Sequence, residues 1–282
     1  MNAEDFGFLA DLLRRRSGLA LTPEKSYLLE SRLAPVARRL DLADVGQLVR
    51  RLKSREEAFV VEQVVDAMTT NESFFFRDGR PFEQFAEVIL PALIAARRAT
   101  RKIAIWSAAA ATGQEPYSLA MCLEDRKAEL QGWQIDILAT DISPTALARA
   151  RAGRYSQFEV QRGLPVRRLV QAFEQDGEAW VVRPHLKKSI RFKPFNLLDL
   201  QPSFGRFDVV FCRNVLIYFD VPTKRRVLET MAGLVPADGF FLLGGTETIL
   251  GVTQRLEPVA DARGLFRPTA AAAAPRIAAG VG

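Results

Sequence analysis

Glu115 and Asp141 each stand at or just past a run of apolar, β-forming residues, KIAIWSA in one case and QIDILAT in the other. Between KIAIWSA and Glu115 lies a loop of small residues running from Ala108 to Gly113, and a helical pattern opens at Pro116. That order puts Gly113 where a strand hands over to a helix N-terminus. In an open α/β sheet this is the crevice in which a nucleotide-like ligand sits. Asp141 ends the second strand, where a carboxylate can accept hydrogen bonds from the two vicinal hydroxyls of a ribose. The alternative is a turn aspartate ahead of the helix that begins at Ser143-Pro144. Glu115 sits at the mouth of the same crevice, either bonding a ligand or serving the first turn of its own helix.

A dinucleotide site needs G-x-G-x-x-G so that backbone can approach a pyrophosphate. Here Ala108-Ala109-Ala110-Ala111-Thr112-Gly113 offers one glycine, at its end. A ligand without phosphates, such as S-adenosylmethionine, fits this loop better. His185 is the only histidine, and the two cysteines, Cys122 and Cys212, form no metal-ligand pair. No metal is therefore expected, and no Ser-His or Cys-His nucleophile unless His185 served as its base. So few cysteines suit the reducing cytoplasm. No stretch approaches ~18 uninterrupted apolar residues, so no membrane insertion is expected. The opening MNAEDFGFLADLLRRR lacks a signal-peptide core.

The formal charge of +6 is unevenly spread: residues 1–80 carry 13 basic and 13 acidic side chains, whereas 151–195 carry 10 basic and 4 acidic. A local basic surface suits an acidic partner, nucleic acid or protein, or else is a solvated face.

Residues 1–67 read as a helical N-terminal domain. FGFLADLLRRRSG has apolar residues at helical spacing and stops at Gly18, and Thr22-Pro23 starts a second helix. On that helix Leu29, Leu33, Val36 and Leu40 form an apolar stripe, while Lys25, Arg32 and Arg39 recur every seven residues on a basic one. A third helix begins near Asp44. Residues 68–82, MTTNESFFFRDGRPF, break the pattern and link this domain to the rest, with Phe74, Phe75 and Phe76 pinning the linker by packing. Over 83–268 strands alternate with helices, which implies a parallel sheet with right-handed crossovers. LEPVADARGLFRP reads as an antiparallel edge strand or pair. Residues 155–195 interrupt the alternation, and WVVRPHLKKSIRFKPF reads as two short strands of a small flap-like β-insertion. The segment 269–282 has few side chains able to pack and is expected to be disordered.

Five stretches, TTNESFFFRD, ATGQEPYSLAM, LATDIS, FNLLD and FDVVFCRNVLIYFD, resemble in order and spacing those of CheR-type chemotaxis receptor glutamate methyltransferases, collinear from about Phe6 to Phe266. The resemblance implies an all-α N-terminal domain and an α/β, class I S-adenosylmethionine-dependent methyltransferase domain, Rossmann-like with a mostly parallel sheet and a small inserted β-subdomain. It further implies transfer of methyl groups to glutamate side chains on chemoreceptor cytoplasmic helices, giving γ-glutamyl methyl esters and S-adenosylhomocysteine. Carried over by position, Asn71, Ser73 and Arg77 match the family's cofactor-contacting Asn-x-Thr-x-Phe-Phe-Arg loop, with Ser73 for threonine. Glu115 matches the second acid of Gly-Glu-Glu-Pro-Tyr-Ser, and Gln114 replaces the first. Asp141 matches the ribose-side aspartate. Asn196 and Leu197 match the pair near the adenine, Arg213 and Asn214 the pair after the fourth strand, and Tyr218 a tyrosine near methyl transfer.

Methyl transfer to a carboxylate is an in-line displacement that needs no general base near neutral pH. Arg77 and Tyr218 are expected to position the acceptor, Arg77 by gripping its carboxylate. Receptor methylation regions are acidic helical bundles, so Lys25, Arg32, Arg39 and the 155–195 insertion are the expected contact surfaces. A cofactor-binding regulator without catalysis is one rival reading. A nucleic-acid methyltransferase is another, disfavoured because Arg213-Asn214-Val215-Leu216 replaces the Asp/Asn-Pro-Pro-Tyr/Phe signature and no aromatic-basic interleaving is present.

Overall fold

The computed structural model describes residues 1–272; the expected disordered tail falls mainly on 273–282, outside the described residues. Its described part is packed: Thr269 N–H donates to the Arg255 carbonyl and Ala272 is buried.

Four helices, α1 (Ala3–Ser17), α2 (Ser26–Arg39), α3 (Val45–Ser54) and α4 (Ala58–Met68), build the N-terminal domain. Side-chain caps start two of them: Asn2 accepts from Asp5 N–H and Asp44 from Gln47 N–H, each at 2.7 Å. Gly18 closes α1 in the left-handed region at φ +79°. Leu9, Leu12, Leu29, Leu33, Leu48 and Val64 meet in one core. Arg32 is not free on its stripe: its guanidinium donates to the carbonyls of Met68 (2.9 Å) and Thr69 (3.1 Å), closing the C-terminus of α4.

Residues Arg80–Gln84 (α5) and Leu90–Ala96 (α6) lead into the sheet, followed by β1 (Lys102–Ala108), α7 (Gln114–Glu124), β2 (Gln134–Asp141) and α8 (Pro144–Ala152). An insertion follows: β3 (Arg154–Ser156), α9 (Gln157–Gln161), α10 (Val166–Ala172), β4 (Phe173–Asp176), β5 (Ala179–Val182) and α11 (Pro184–Lys188). The chain then resumes with β6 (Ile190–Pro194), β7 (Val209–Cys212), α12 (Val221–Ala232), β8 (Phe240–Leu243), β9 (Leu256–Pro258) and β10 (Leu265–Pro268). The large sheet has the order β6-β2-β1-β7-β8-β10-β9. The pairs among β6, β2, β1, β7 and β8 are parallel, and β10 runs antiparallel to β8 and β9. Alternation along the strands feeds both faces: Val209 and Phe211 enter one core, Val210 and Cys212 the other. Strand order reverses between β1 and β7, which opens a crevice at their carboxyl ends.

The insertion ends sooner than expected. Ile190–Pro194 is not its second strand but β6, pairing with β2 from Ile137↔Ile190 to Asp141↔Pro194. A short strand's pattern reports which faces are buried, and it does not say which sheet supplies the partner. The insertion's own sheet is β3-β5-β4, and three short helices accompany it. Much of its charge is paired: Arg154 with Asp176, Arg162 with Glu72, Arg168 with Asp125 and Arg183 with Glu174.

The insertion is docked through the linker. Phe75 is fully buried, edge-on to Tyr155 at 5.0 Å and to Phe173 at 5.4 Å between ring centroids. Gly163 has no room for a side chain, since a Cβ there would lie 2.1 Å from the Phe75 carbonyl oxygen. No helix among the described residues is long and apolar enough to cross a membrane. Phe75→Ala should lower stability by about 3–5 kcal/mol, read by chemical denaturation, because the cavity opens where linker, insertion and sheet meet.

Candidate cofactor and active site

The β1–α7 turn is strained where it meets the crevice. Ala109 (φ +60°), Ala111 (φ +48°) and Gly113 (φ +97°) all adopt left-handed backbone. Gly113 is required by packing: a Cβ would lie 2.9 Å from the Ala150 Cβ and 3.0 Å from the Tyr155 hydroxyl. That hydroxyl donates to the Thr112 carbonyl at 2.7 Å. The one glycine thus serves helix–turn contact, in keeping with a loop that does not cradle phosphates. Gln114 is buried and accepts from the Thr112 hydroxyl at 2.8 Å. It does not line the pocket.

The pocket at the carboxyl ends of β1 and β7 holds about 1020 Å³ of empty space, its open mouth included. Asn71, Ser73, Arg77, Glu115, Asp141, Asn196, Leu197, Arg213, Asn214 and Tyr218 all line it. The sequence-derived set therefore converges on one cavity, but its members are differently employed.

Asp141 is buried, with Oδ2 accepting Ala111 N–H (2.8 Å) and Oδ1 accepting Ser143 N–H (2.9 Å). Burial pushes its carboxyl above the ordinary value despite those bonds. Both the turn role and spare acceptor capacity coexist in it, since a carboxylate offers about four acceptor positions. Glu115 is held at both oxygens, by the Ser107 hydroxyl (2.8 Å) and by Arg213 Nη1 (2.9 Å).

Arg213 is the most enclosed charge of the site, its side chain 1% exposed. Besides Glu115 it donates from Nη2 to the Arg77 carbonyl (2.9 Å) and to Asp78 Oδ2 (2.7 Å). It also lies over the Phe82 ring at 5.6 Å. Its Nε is buried without a hydrogen-bond partner among the described residues. This guanidinium therefore clamps α7 to the linker. Asn196 is similarly committed: Nδ2 donates to the Arg16 carbonyl (2.7 Å) and Oδ1 accepts Leu198 N–H (3.0 Å). Leu197 is buried in the sheet's second core.

Arg77 and Tyr218 are freer. Arg77 spends Nη1 on the Glu72 carbonyl (2.8 Å), and the Tyr218 hydroxyl makes no hydrogen bond within the described residues. Asn71 donates to the Thr69 hydroxyl at 3.1 Å. Asn214 sits at φ +60°, its N–H donating to Glu247 Oε2 at 2.8 Å.

Residues not singled out from sequence complete the enclosure. Ser17, Leu19, Val65 and Met68 bring the helical domain into the pocket wall. Ala20 N–H donates to the Tyr218 carbonyl at 2.9 Å, and Asp66 accepts from the hydroxyls of Ser143 and Thr145. No residue pattern read from the sequence marked this surface.

Two family models match the chain in succession: the "CheR methyltransferase, all-alpha domain" over residues 4–69 and the "CheR methyltransferase, SAM binding domain" over 71–264. Chemotaxis protein methyltransferase 1 of Pseudomonas aeruginosa is 38% identical over 266 residues, 93% of this chain and 96% of that one. The chemotaxis protein methyltransferase of Vibrio parahaemolyticus is 38% identical over 259 residues, covering 91% and 93%. That of Escherichia coli is 33% identical over 255 residues, covering 89% and 86%.

Arg213→Met should cost about 3–5 kcal/mol in urea unfolding, since it leaves Glu115 enclosed without its partner. Arg213→Lys should recover only part of that, because an ammonium cannot span the same acceptors.

Proposed function

This chain belongs to the CheR methyltransferase family, and on that premise we propose that it transfers methyl groups from S-adenosylmethionine to the γ-carboxylates of glutamates on chemoreceptor cytoplasmic helices. The observation that carries the reading is the end-to-end match of both family domains, together with relatives named as chemotaxis protein methyltransferases. The reaction is cytoplasmic, where such helices lie, and its products are the glutamyl methyl ester and S-adenosylhomocysteine.

The residues present suit the cofactor. Asp141 keeps acceptor capacity for two ribose hydroxyls, and Leu197, Ile142, Val65 and Met68 offer an apolar wall for a purine. S-adenosylmethionine, when bound, supplies an electrophilic methyl on a sulfonium. The protein's part is alignment and exclusion of water. The acceptor is already ionised, so no base is needed. Arg77 retains uncommitted N–H donors for the incoming carboxylate, and the Tyr218 hydroxyl is free to donate to it. Asn71, Ser73 and Asn214 border the same cavity and serve the cofactor. Arg213 and Asn196 contribute by holding Glu115, the linker and α1 in place, since their side chains are already engaged with protein groups. Leu19 and Met68 from the helical domain close the wall against solvent. Lys25, Arg39 and cations of the insertion that form no ion pair among the described residues, such as Arg167 and Lys188, meet the acidic receptor helices, so association should weaken with salt.

The direct test is transfer of labelled methyl to a receptor cytoplasmic fragment, with release of the label by mild alkali. Alkali-stable label would overturn the ester. Arg77→Ala should lower kcat/KM by about 10- to 100-fold, the loss of a charged hydrogen bond; a wild-type rate would remove Arg77 from the reaction.

Asp141 adds a pH signature. Ribose hydroxyls donate to its ionised form, and its folded pKa is raised by burial. Affinity for S-adenosylhomocysteine should be complete above that raised value and decline as pH falls through it. Titration calorimetry should show this trend in the wild type and a flat profile in Asp141→Asn.

A further inference from the structure

Glu247 lies outside the pocket lining and faces the neighbouring groove beside Asp78 and Arg80. Beyond β8 the chain folds back on itself, with Glu247 N–H donating to the Gly244 carbonyl at 2.9 Å. The turn carries the Glu247 carboxylate against the loop after β7, where it accepts four backbone amides. Oε2 takes Asn214 N–H and Gly244 N–H, both at 2.8 Å. Oε1 takes Val215 N–H (3.0 Å) and Leu216 N–H (2.8 Å).

Three of those donors are consecutive residues, and they can converge on one carboxylate only because Asn214 is left-handed. That conformation is costly for a residue with a Cβ and persists where surrounding bonds enforce it. The amides pin the start of a short 3-10 turn, Leu216–Tyr218, which ends on the tyrosine. Gly244 allows the arrangement: a Cβ there would lie 2.8 Å from Glu247 Oε2 and 3.0 Å from the Asn214 amide nitrogen. Among the described residues no ion pair involves Glu247, so amide dipoles alone balance its charge.

We propose that Glu247 is a positioning residue for methyl transfer. It shapes the β7 loop so that Asn214 and Tyr218 face the pocket, while itself touching neither cofactor nor acceptor. The inference rests on the proposed function and adds a residue to its machinery. A carboxylate is required because glutamine has one acceptor oxygen and would turn an NH₂ group toward two of the donors.

The full-length protein should be compared with E247Q, E247D and G244A. In E247Q, kcat on a receptor fragment should fall about 10- to 100-fold, as expected when charged hydrogen bonds are lost. The Kd for S-adenosylhomocysteine should change less than about fivefold, since Asn214 is only one of several groups on the cofactor and Asn71, Ser73 and Asp141 stay in place, whereas Tyr218 is carried wholly by the pinned turn. Amide hydrogen exchange across 214–218 should accelerate about tenfold or more, with α1–α4 unaffected. E247D should restore part of the rate, and G244A should mimic E247Q without altering the carboxylate. A kcat within about threefold of wild type, or a Kd weakened as far as kcat falls, would overturn the proposal. So would unchanged exchange in both E247Q and G244A, whatever substrate is used. Should E247Q not fold, G244A carries the test. If the wild type itself methylates no receptor fragment, the proposed function fails, and exchange and Kd still decide whether Glu247 sets the loop.

Discussion

A guanidinium buried at the end of β7 governs the site. Taking Arg213 out of water costs several kcal/mol unless acceptors surround it. The acceptors come from separate parts of the chain: Glu115 from the first turn of α7, and Asp78 with the Arg77 carbonyl from the linker. Satisfying one charge therefore fixes where the linker crosses the crevice and where α7 begins. Arg77 is placed as a consequence, since its own carbonyl is one of the anchors. The unpartnered Nε is what that compromise leaves, because only three of the guanidinium's five N–H donors meet acceptors and Nε is not among them.

Around this clamp the site divides into groups already spent and groups still available. Asn196, Glu115 and Arg213 each bond at least two protein groups, and they hold three walls at fixed distances. Arg77, the Tyr218 hydroxyl and part of the Asp141 carboxylate remain for chemistry. The helical domain belongs to the same construction. Its α1 carbonyl binds Asn196, its Ala20 amide binds the Tyr218 carbonyl, and Asp66 binds the start of α8. Left-handed alanines at 109 and 111 and the left-handed Asn214 cluster at the carboxyl ends of the two central strands. Strain concentrates where the surrounding bonds can hold it.

Much of this was legible in the chain itself. Helical periodicity marked the N-terminal domain, and alternation of strand and helix marked the parallel sheet. Leu29, Leu33 and Val36 were assigned to the core and are buried. The glycine-poor loop argued against a dinucleotide, and five spaced motifs named residues that converge on one pocket. These features are local: periodicity records which face of an element is covered, and motif order records the course of a chain through a fold.

What the residue pattern could not decide was which distant group each side chain would spend itself on. Arg32 read as part of a basic stripe and instead closes α4; several insertion arginines read as free charge and are paired. Ile190–Pro194 read as insertion and joined the main sheet, because pairing depends on an edge that β2 offers only in three dimensions. Arg213 and Glu115 stand 98 positions apart, and Glu247 reaches back 33 to Asn214. Charge pairing and hydrogen bonding act over a few ångströms in space and are blind to separation along the chain. The types of residue, and so the chemistry on offer, were set by sequence; which of them remain free to perform it was set by tertiary packing.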